Sequence, residues 1–183
     1  GRLIREPARR SLRQERGMSA EPLACIVSRS LDLDPDTPLL AEPGARVLVL
    51  TPSPGELPPT AAEVGYVRAA RDGVLDLPAA LARLSEHYAV RLVLCEGGPH
   101  LAGELLAAGL LDELFLSLSP KLAGGLEHGG RALGIIAGEE LQPPVELTLL
   151  GVLESDSHLF LRYGVVAPER VSRETTLSSS LAR

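Results

Sequence analysis

The run Val90 to Cys95 is apolar except at Arg91, and Glu96-Gly97-Gly98-Pro99 follows it at once. A strand that is apolar on both faces suits a parallel sheet flanked by helices and has few other homes. Leu101, Leu105 and Ala108 then recur at helical spacing, with Gly109 as a stop signal. The sequence therefore predicts a buried strand, a tight glycine turn and a helix. Upstream, Leu77, Leu81, Leu84 and Tyr88 form the apolar stripe of an amphipathic helix. Asp76 before it and Pro78 in its first turn mark its N-terminus.

Shorter apolar runs fill in the pattern. Leu23 to Val27, Arg46 to Leu50 and Gly65 to Ala69 read as strands, the second closed by the turn Thr51-Pro52-Ser53-Pro54-Gly55. From Glu113 the period becomes two, with Leu114, Leu116 and Leu118 on one side. Glu146 to Leu153 and His158 to Val165, joined by Glu154-Ser155-Asp156-Ser157, read as an antiparallel hairpin. The expected fold is α/β: a mixed, mainly parallel sheet with helices on its faces and a C-terminal hairpin. Residues 1–20 are expected to be a basic arm or short helix carrying Arg2, Arg5, Arg9, Arg10, Arg13 and Arg16. Residues 21–166 are the expected domain, with a glycine-rich surface loop from Gly124 to Gly138, and residues 167–183 a flexible tail.

Composition narrows the function. The chain has 183 residues, a formal net charge of −6, no Trp, two Phe and three Tyr. A nucleic-acid surface needs positive charge or stacking aromatics, so nucleic acid is not expected as a partner. No stretch approaches the length of a membrane span, and no signal-peptide pattern opens the chain, so a cytoplasmic location is expected. Cys25 and Cys95 lie in apolar runs and are expected to be buried core residues. His87, His100, His128 and His158 are scattered, and no metal-ligand spacing or Ser/His/Asp triad is present.

The chemistry centres on Glu96-Gly97-Gly98-Pro99. A helix start offers unpaired N–H groups and partial positive charge, which suits a phosphate. Glycines let the backbone approach a ligand closely. A tight turn that needs glycine merely to fit explains the same residues, and spacing alone leaves the two open. The motif is neither the Gly-x-Gly-x-x-Gly fingerprint nor a P-loop.

The run Arg91 to Leu106, with Leu111-Asp112-Glu113-Leu114 and Ser119-Pro120-Lys121-Leu122-Ala123-Gly124-Gly125, resembles the reductase domain of riboflavin biosynthesis, a dihydrofolate-reductase-like family. The resemblance covers roughly residues 20–165 and implies a three-layer sandwich that uses NADPH to reduce a ribosylamino-pyrimidine. It implies that Gly97, Gly98, Pro99, His100, Leu101, Ala102 and Gly103 wrap the cofactor pyrophosphate. Ser28 and Arg29 are implied at the adenosine ribose and its 2′-phosphate, and Glu96 at the pyrimidine substrate. Glu96 as a solvated turn residue is the other reading. No catalytic residue is assigned. Family members open with a strand, a Ser-x-Asp-Gly-like turn, a helix and a second strand leading to Gly-x-Gly-Thr-Val-Arg. This chain resembles the family only from just after that stretch, at Gly1-Arg2-Leu3, so it is expected to be a fragment or a shortened relative.

Apolar strands near a sheet edge are usually covered, and a homodimer is the expected cover. Two rival functions remain: a dihydrofolate-reductase-like enzyme acting on another pterin or pyrimidine, and a non-catalytic nucleotide-binding or scaffold domain.

Overall fold

The structure is a computed structural model that describes residues 3–122, 134–138 and 140–166. The expected tail 167–183, and most of the expected loop Gly124 to Gly138, lie outside the described residues. The chain divides at Leu94 into two compact units.

The first unit opens with helix α1 (Pro7–Glu15), which has no buried residue. Its sheet consists of three parallel strands, β1 (Ala24–Val27), β2 (Arg46–Thr51) and β3 (Glu63–Arg68), in that spatial order. Register runs from Ala24 opposite Val47 and Arg46 opposite Glu63, so all three strands end level with one another. A small hairpin, β4 (Ala70–Arg71) and β5 (Val74–Leu75), leads into helix α2 (Leu77–Tyr88). Asp76 is the α2 N-cap: its carboxylate accepts a 3.0 Å hydrogen bond from the Ala79 N–H. That bond partners one of the amides a helix start leaves unpaired.

Alternation along the strands gives each sheet face its own core. Leu48, Leu50 and Val67 pack with Ala80 and Leu84 of α2. On the other face Ala24 and Val47 pack with Leu40 and Ala62 from the connecting loops. Helix, sheet and loop layer thus bury β2 almost completely, as its Val-Leu-Val-Leu run demands.

In the second unit, helix α3 (Pro99–Ala107) precedes strand β6 (Glu113–Leu118) and the hairpin β7 (Leu147–Ser155) and β8 (His158–Val165). The three strands are antiparallel, with β8 in the centre. Asp156 and Ser157 both have positive φ, the conformation a two-residue hairpin turn requires. Gly109 ends the α3 segment in the left-handed region, and Leu110 N–H bonds back to Leu105 O at 2.9 Å.

Two expectations fail. Val90 to Cys95 forms no strand: Leu92 is 89% and Leu94 75% exposed. Val90 N–H reaches Leu84 O at 3.2 Å, but among the described residues the backbone of 91–95 joins no ladder. An apolar run becomes a central strand only when neighbouring strands pair with both of its edges. The cysteines are not core residues either, since Cys25 is exposed and Cys95 half-buried. Cys25 lies on edge strand β1, on the same sheet face as its register partner Leu48 but outside the cluster that α2 buries. Cys95 ends the run that fails to pair.

Candidate functional site

The parallel strands β1, β2 and β3 place their C-terminal ends along one rim, the usual location for ligands of such sheets. Ser28 and Arg29 leave β1 there. Ser28 N–H bonds Leu50 O at 3.1 Å, which holds it against β2. Its hydroxyl oxygen accepts from Leu31 N–H at 3.1 Å, while Arg29 is exposed. The Ser28 hydroxyl proton therefore remains the group it has to offer a ligand.

The next loop adds groups that sequence reading missed. Thr51 is fully buried and its Oγ1 accepts from Ser53 N–H at 3.1 Å. Ser53 Oγ accepts from Gly55 N–H at 3.2 Å. Arg68, at the end of β3, donates to Ser53 O at 3.1 Å and lies 4.4 Å from the centre of the Tyr66 ring. Glu56 stands 3.8 Å from its guanidinium. The site Gly55 would offer a side chain lies 3.5 Å from Leu31, so the β1 and β2 loops adjoin. The Thr51-to-Gly55 turn chemistry was the available signal, but only strand register brings Arg68 beside it.

In the second unit, Gly98 is the N-cap of α3 and Pro99 its first residue. Gly98 has φ −68° and ψ 175°, a conformation open to any residue. Its glycine is therefore not required by the backbone. Among the described residues a Cβ added there would meet nothing within 4 Å. The Ala102 N–H bonds Gly98 O at 3.1 Å. Among the described residues the N–H groups of His100 and Leu101 reach no acceptor. No side chain among the described residues caps this helix. The turn thus presents unpaired donors beside open space, which fits an oxyanion such as phosphate.

The other glycines differ. A Cβ on Gly97 would come within 2.7 Å of Leu101 Cδ2, a flexible side chain. A Cβ on Gly103 would stand 2.3 Å from Ala137 O, and Ala137 N–H bonds Pro99 O at 3.0 Å. Gly103 is buried and has a packing reason to be glycine. Glu96 and His100 are exposed, and Leu101 and Ala102 half-buried.

Two cavities among the described residues are lined by none of the expected site residues. One, of about 450 Å³, is lined by Leu3, Glu21, Leu39 and Arg46 among others, at the N-terminal ends of β1 and β2. The second, of about 530 Å³, lies between Leu106, Leu114, Ile136 and Leu147. Among the described residues no group of three His, Cys, Asp or Glu is arranged to hold a metal ion. No helix among them is long and apolar enough to cross a membrane.

The comparisons with known proteins bear on this geometry. Comparison with curated proteins gave no match. Among solved structures, Acinetobacter baumannii RibD matches with a TM-score of 0.63 and 25% identity over 81% of this chain and 39% of that one. A pyrimidine reductase-like protein from Corynebacterium diphtheriae matches with a TM-score of 0.65 and 18% identity, over 91% of this chain and 70% of that one. A Thermotoga maritima diaminohydroxyphosphoribosylaminopyrimidine deaminase/5-amino-6-(5-phosphoribosylamino)uracil reductase matches with a TM-score of 0.58 and 23% identity, over 80% and 38% respectively. The chain thus spans well under half the length of the RibD structure. These matches show the expected α/β, dihydrofolate-reductase-like architecture of the reductase domain. The family described as the RibD C-terminal domain matches residues 3–161. That match covers most of the sequence, and the chain belongs to the RibD C-terminal domain family.

Proposed function

We propose that this chain is an NADPH-dependent reductase of a ribosylamino-pyrimidine in riboflavin biosynthesis, acting in the cytoplasm. The observation that carries the reading is the start of α3: unpaired amides at His100 and Leu101 beside the open face of Gly98, in a chain of this family. That arrangement fits the pyrophosphate of a dinucleotide. In the first unit, the Ser28 hydroxyl and the Arg29 guanidinium are donors of the kind a ribose 2′-phosphate takes. The exposed Glu96 carboxylate is an acceptor for pyrimidine N–H groups.

Bound NADPH would supply a hydride to C1′ of the opened, imine form of the ribosylamino side chain, a proton from solvent completing the amine nitrogen, to give a ribitylamino-pyrimidine. The work of the chain's own residues is binding and orientation, which is where a cofactor enzyme's protein contributes most. A second reading, a nucleotide-binding domain without turnover, is favoured by the unpaired run that leads into Glu96. Titration with NADPH and NADH tests the cofactor. An assay of NADPH oxidation with the ribosylamino-pyrimidine then separates the two readings: binding with turnover supports the enzyme, and binding alone the second.

A further inference from the structure

The cavity at the N-terminal ends of β1 and β2 contains a carboxylate that the proposed reaction does not use. Its volume is about 450 Å³, within the range of small-molecule sites. Leu3, Leu23 and Leu39 contribute an apolar lining, and Glu21, Arg10 and Arg46 contribute charge. Main-chain bonds fix two of these walls. Glu21 Oε2 accepts from Ile4 N–H at 3.0 Å, and Arg10 donates to Ile4 O at 2.8 Å and to Arg5 O at 3.1 Å. Carboxylate and guanidinium thus clasp the N-terminal arm through the N–H and the carbonyl of one residue.

Glu21 has a second oxygen. Oε1 is shielded from solvent, and among the described residues it has no hydrogen-bond partner. A buried acceptor without a donor costs stability, the more so when it carries charge. Such atoms nearly always have a partner in native proteins. The terminal torsion of a glutamate is soft, so a small rotation turns Oε1 toward a molecule in the cavity. Register sets Ala24 opposite Val47, so Arg46 enters β2 beside the segment that carries Glu21. The Arg46 guanidinium stands 3.9 Å from Glu63, beyond hydrogen-bond range, and its N–H groups remain to be used. A free amine would gain Glu21 but meet the charge of Arg10 and Arg46. A carboxylate would gain the arginines but meet Glu21 and Glu42. A neutral group with an N–H beside a carbonyl suits both.

We infer that this cavity binds a small, mostly apolar cyclic amide, whose N–H donates to Glu21 Oε1 and whose carbonyl accepts from Arg46. Ala24 lines the cavity and Ser28 follows the other end of β1, about 13 Å away at the rise of a strand. The site is distinct from the donors assigned to the cofactor, and it stands whether or not that assignment holds.

Amide-resolved NMR titration with isoindolinone tests the inference, against its N-methyl form, which has no N–H donor, and against benzylamine. In the native chain the lactam should bind at millimolar concentrations and shift the amide signals of Ala24, Leu39 and Gly44, leaving that of Arg29 in place. The N-methyl form should bind at least about tenfold more weakly. Glu21→Gln should weaken the lactam by a similar factor. Its amide oxygen can still accept from Ile4 N–H, but its NH2 group then stands where Oε1 stood and sets donor against donor. No lactam binding to the native chain overturns the inference, as does equal affinity for the two lactams, tighter binding of benzylamine, or unchanged affinity in a folded Glu21→Gln chain. If Glu21→Gln fails to fold, the two lactams and benzylamine on the native chain decide alone.

Discussion

Valine introduced at Gly98 and at Gly103 should separate ligand binding from packing, although the two glycines lie close together on α3. At Gly98 the backbone is extended and a Cβ meets nothing within 4 Å among the described residues. A β-branched residue suits that conformation, and loss of a glycine N-cap costs about 1 kcal/mol or less. At Gly103 a Cβ would stand 2.3 Å from Ala137 O and 3.2 Å from Ile136 Cγ2. The nearer contact is with backbone, and the valine methyl groups would crowd it further. Overpacking of this kind costs about 1–3 kcal/mol, occasionally more. The gain from removing a helical glycine is below about 1 kcal/mol. A net loss of about 2 kcal/mol then lowers the melting temperature by roughly 4–8 °C for a chain of this length. Thermal unfolding followed by circular dichroism, with NADPH titrated into each variant, reads both effects. Gly98→Val should melt close to the native chain and bind NADPH at least about tenfold more weakly. Gly103→Val should melt several degrees lower. A Gly103→Val chain as stable as the native one would refute the packing argument. A Gly98→Val chain that loses as much stability as Gly103→Val would make both glycines structural.

The Glu113 carboxyl is held below the usual carboxylate range, first by its hydrogen bond with Arg162 and then by the nearby guanidinium charge. Its contribution to stability is therefore present above the unfolded-state pKa and is lost as pH falls through the lower folded value. Carbon-13 NMR titration should find Glu113 titrating low in the native chain and at an ordinary value in Arg162→Gln; equal values in both would refute the assignment. Asp76→Ala removes the α2 N-cap bond and the ion pair with Arg71 at 2.9 Å. It should cost about 1 kcal/mol in urea unfolding, and no loss would show that the cap is replaced by solvent.

Local chemistry was legible in the sequence, and partnership was not. Asp76, Pro78 and the Leu77, Leu81, Leu84 stripe specify α2 because each acts within a few residues of the chain. The hairpin of β7 and β8 is similarly local, since its turn needs two residues that tolerate positive φ and Asp156 and Ser157 supply them. Val90 to Cys95 shows the limit. Its side chains carry the pattern of a central strand, but pairing depends on the backbone of other segments, which the run itself does not encode. The same limit applies to the site. Gly97, Gly98 and Gly103 look alike in sequence, and only coordinates distinguish open space at Gly98 from the Ala137 carbonyl at Gly103. Arg68 escaped notice because strand register, not spacing, brings it to the Ser53 carbonyl.

The central claim is that the chain binds NADPH, and calorimetric titration of the purified chain with NADPH and with NADH tests it most directly. The two cofactors differ only in the 2′-phosphate, which the account assigns to Ser28 and Arg29. A charge-assisted hydrogen bond contributes about 1.5–3 kcal/mol, so NADPH should bind at least about tenfold more tightly than NADH. Arg29→Ala should bring the two affinities together. Equal affinities in the native chain, or binding of neither cofactor, would contradict the account.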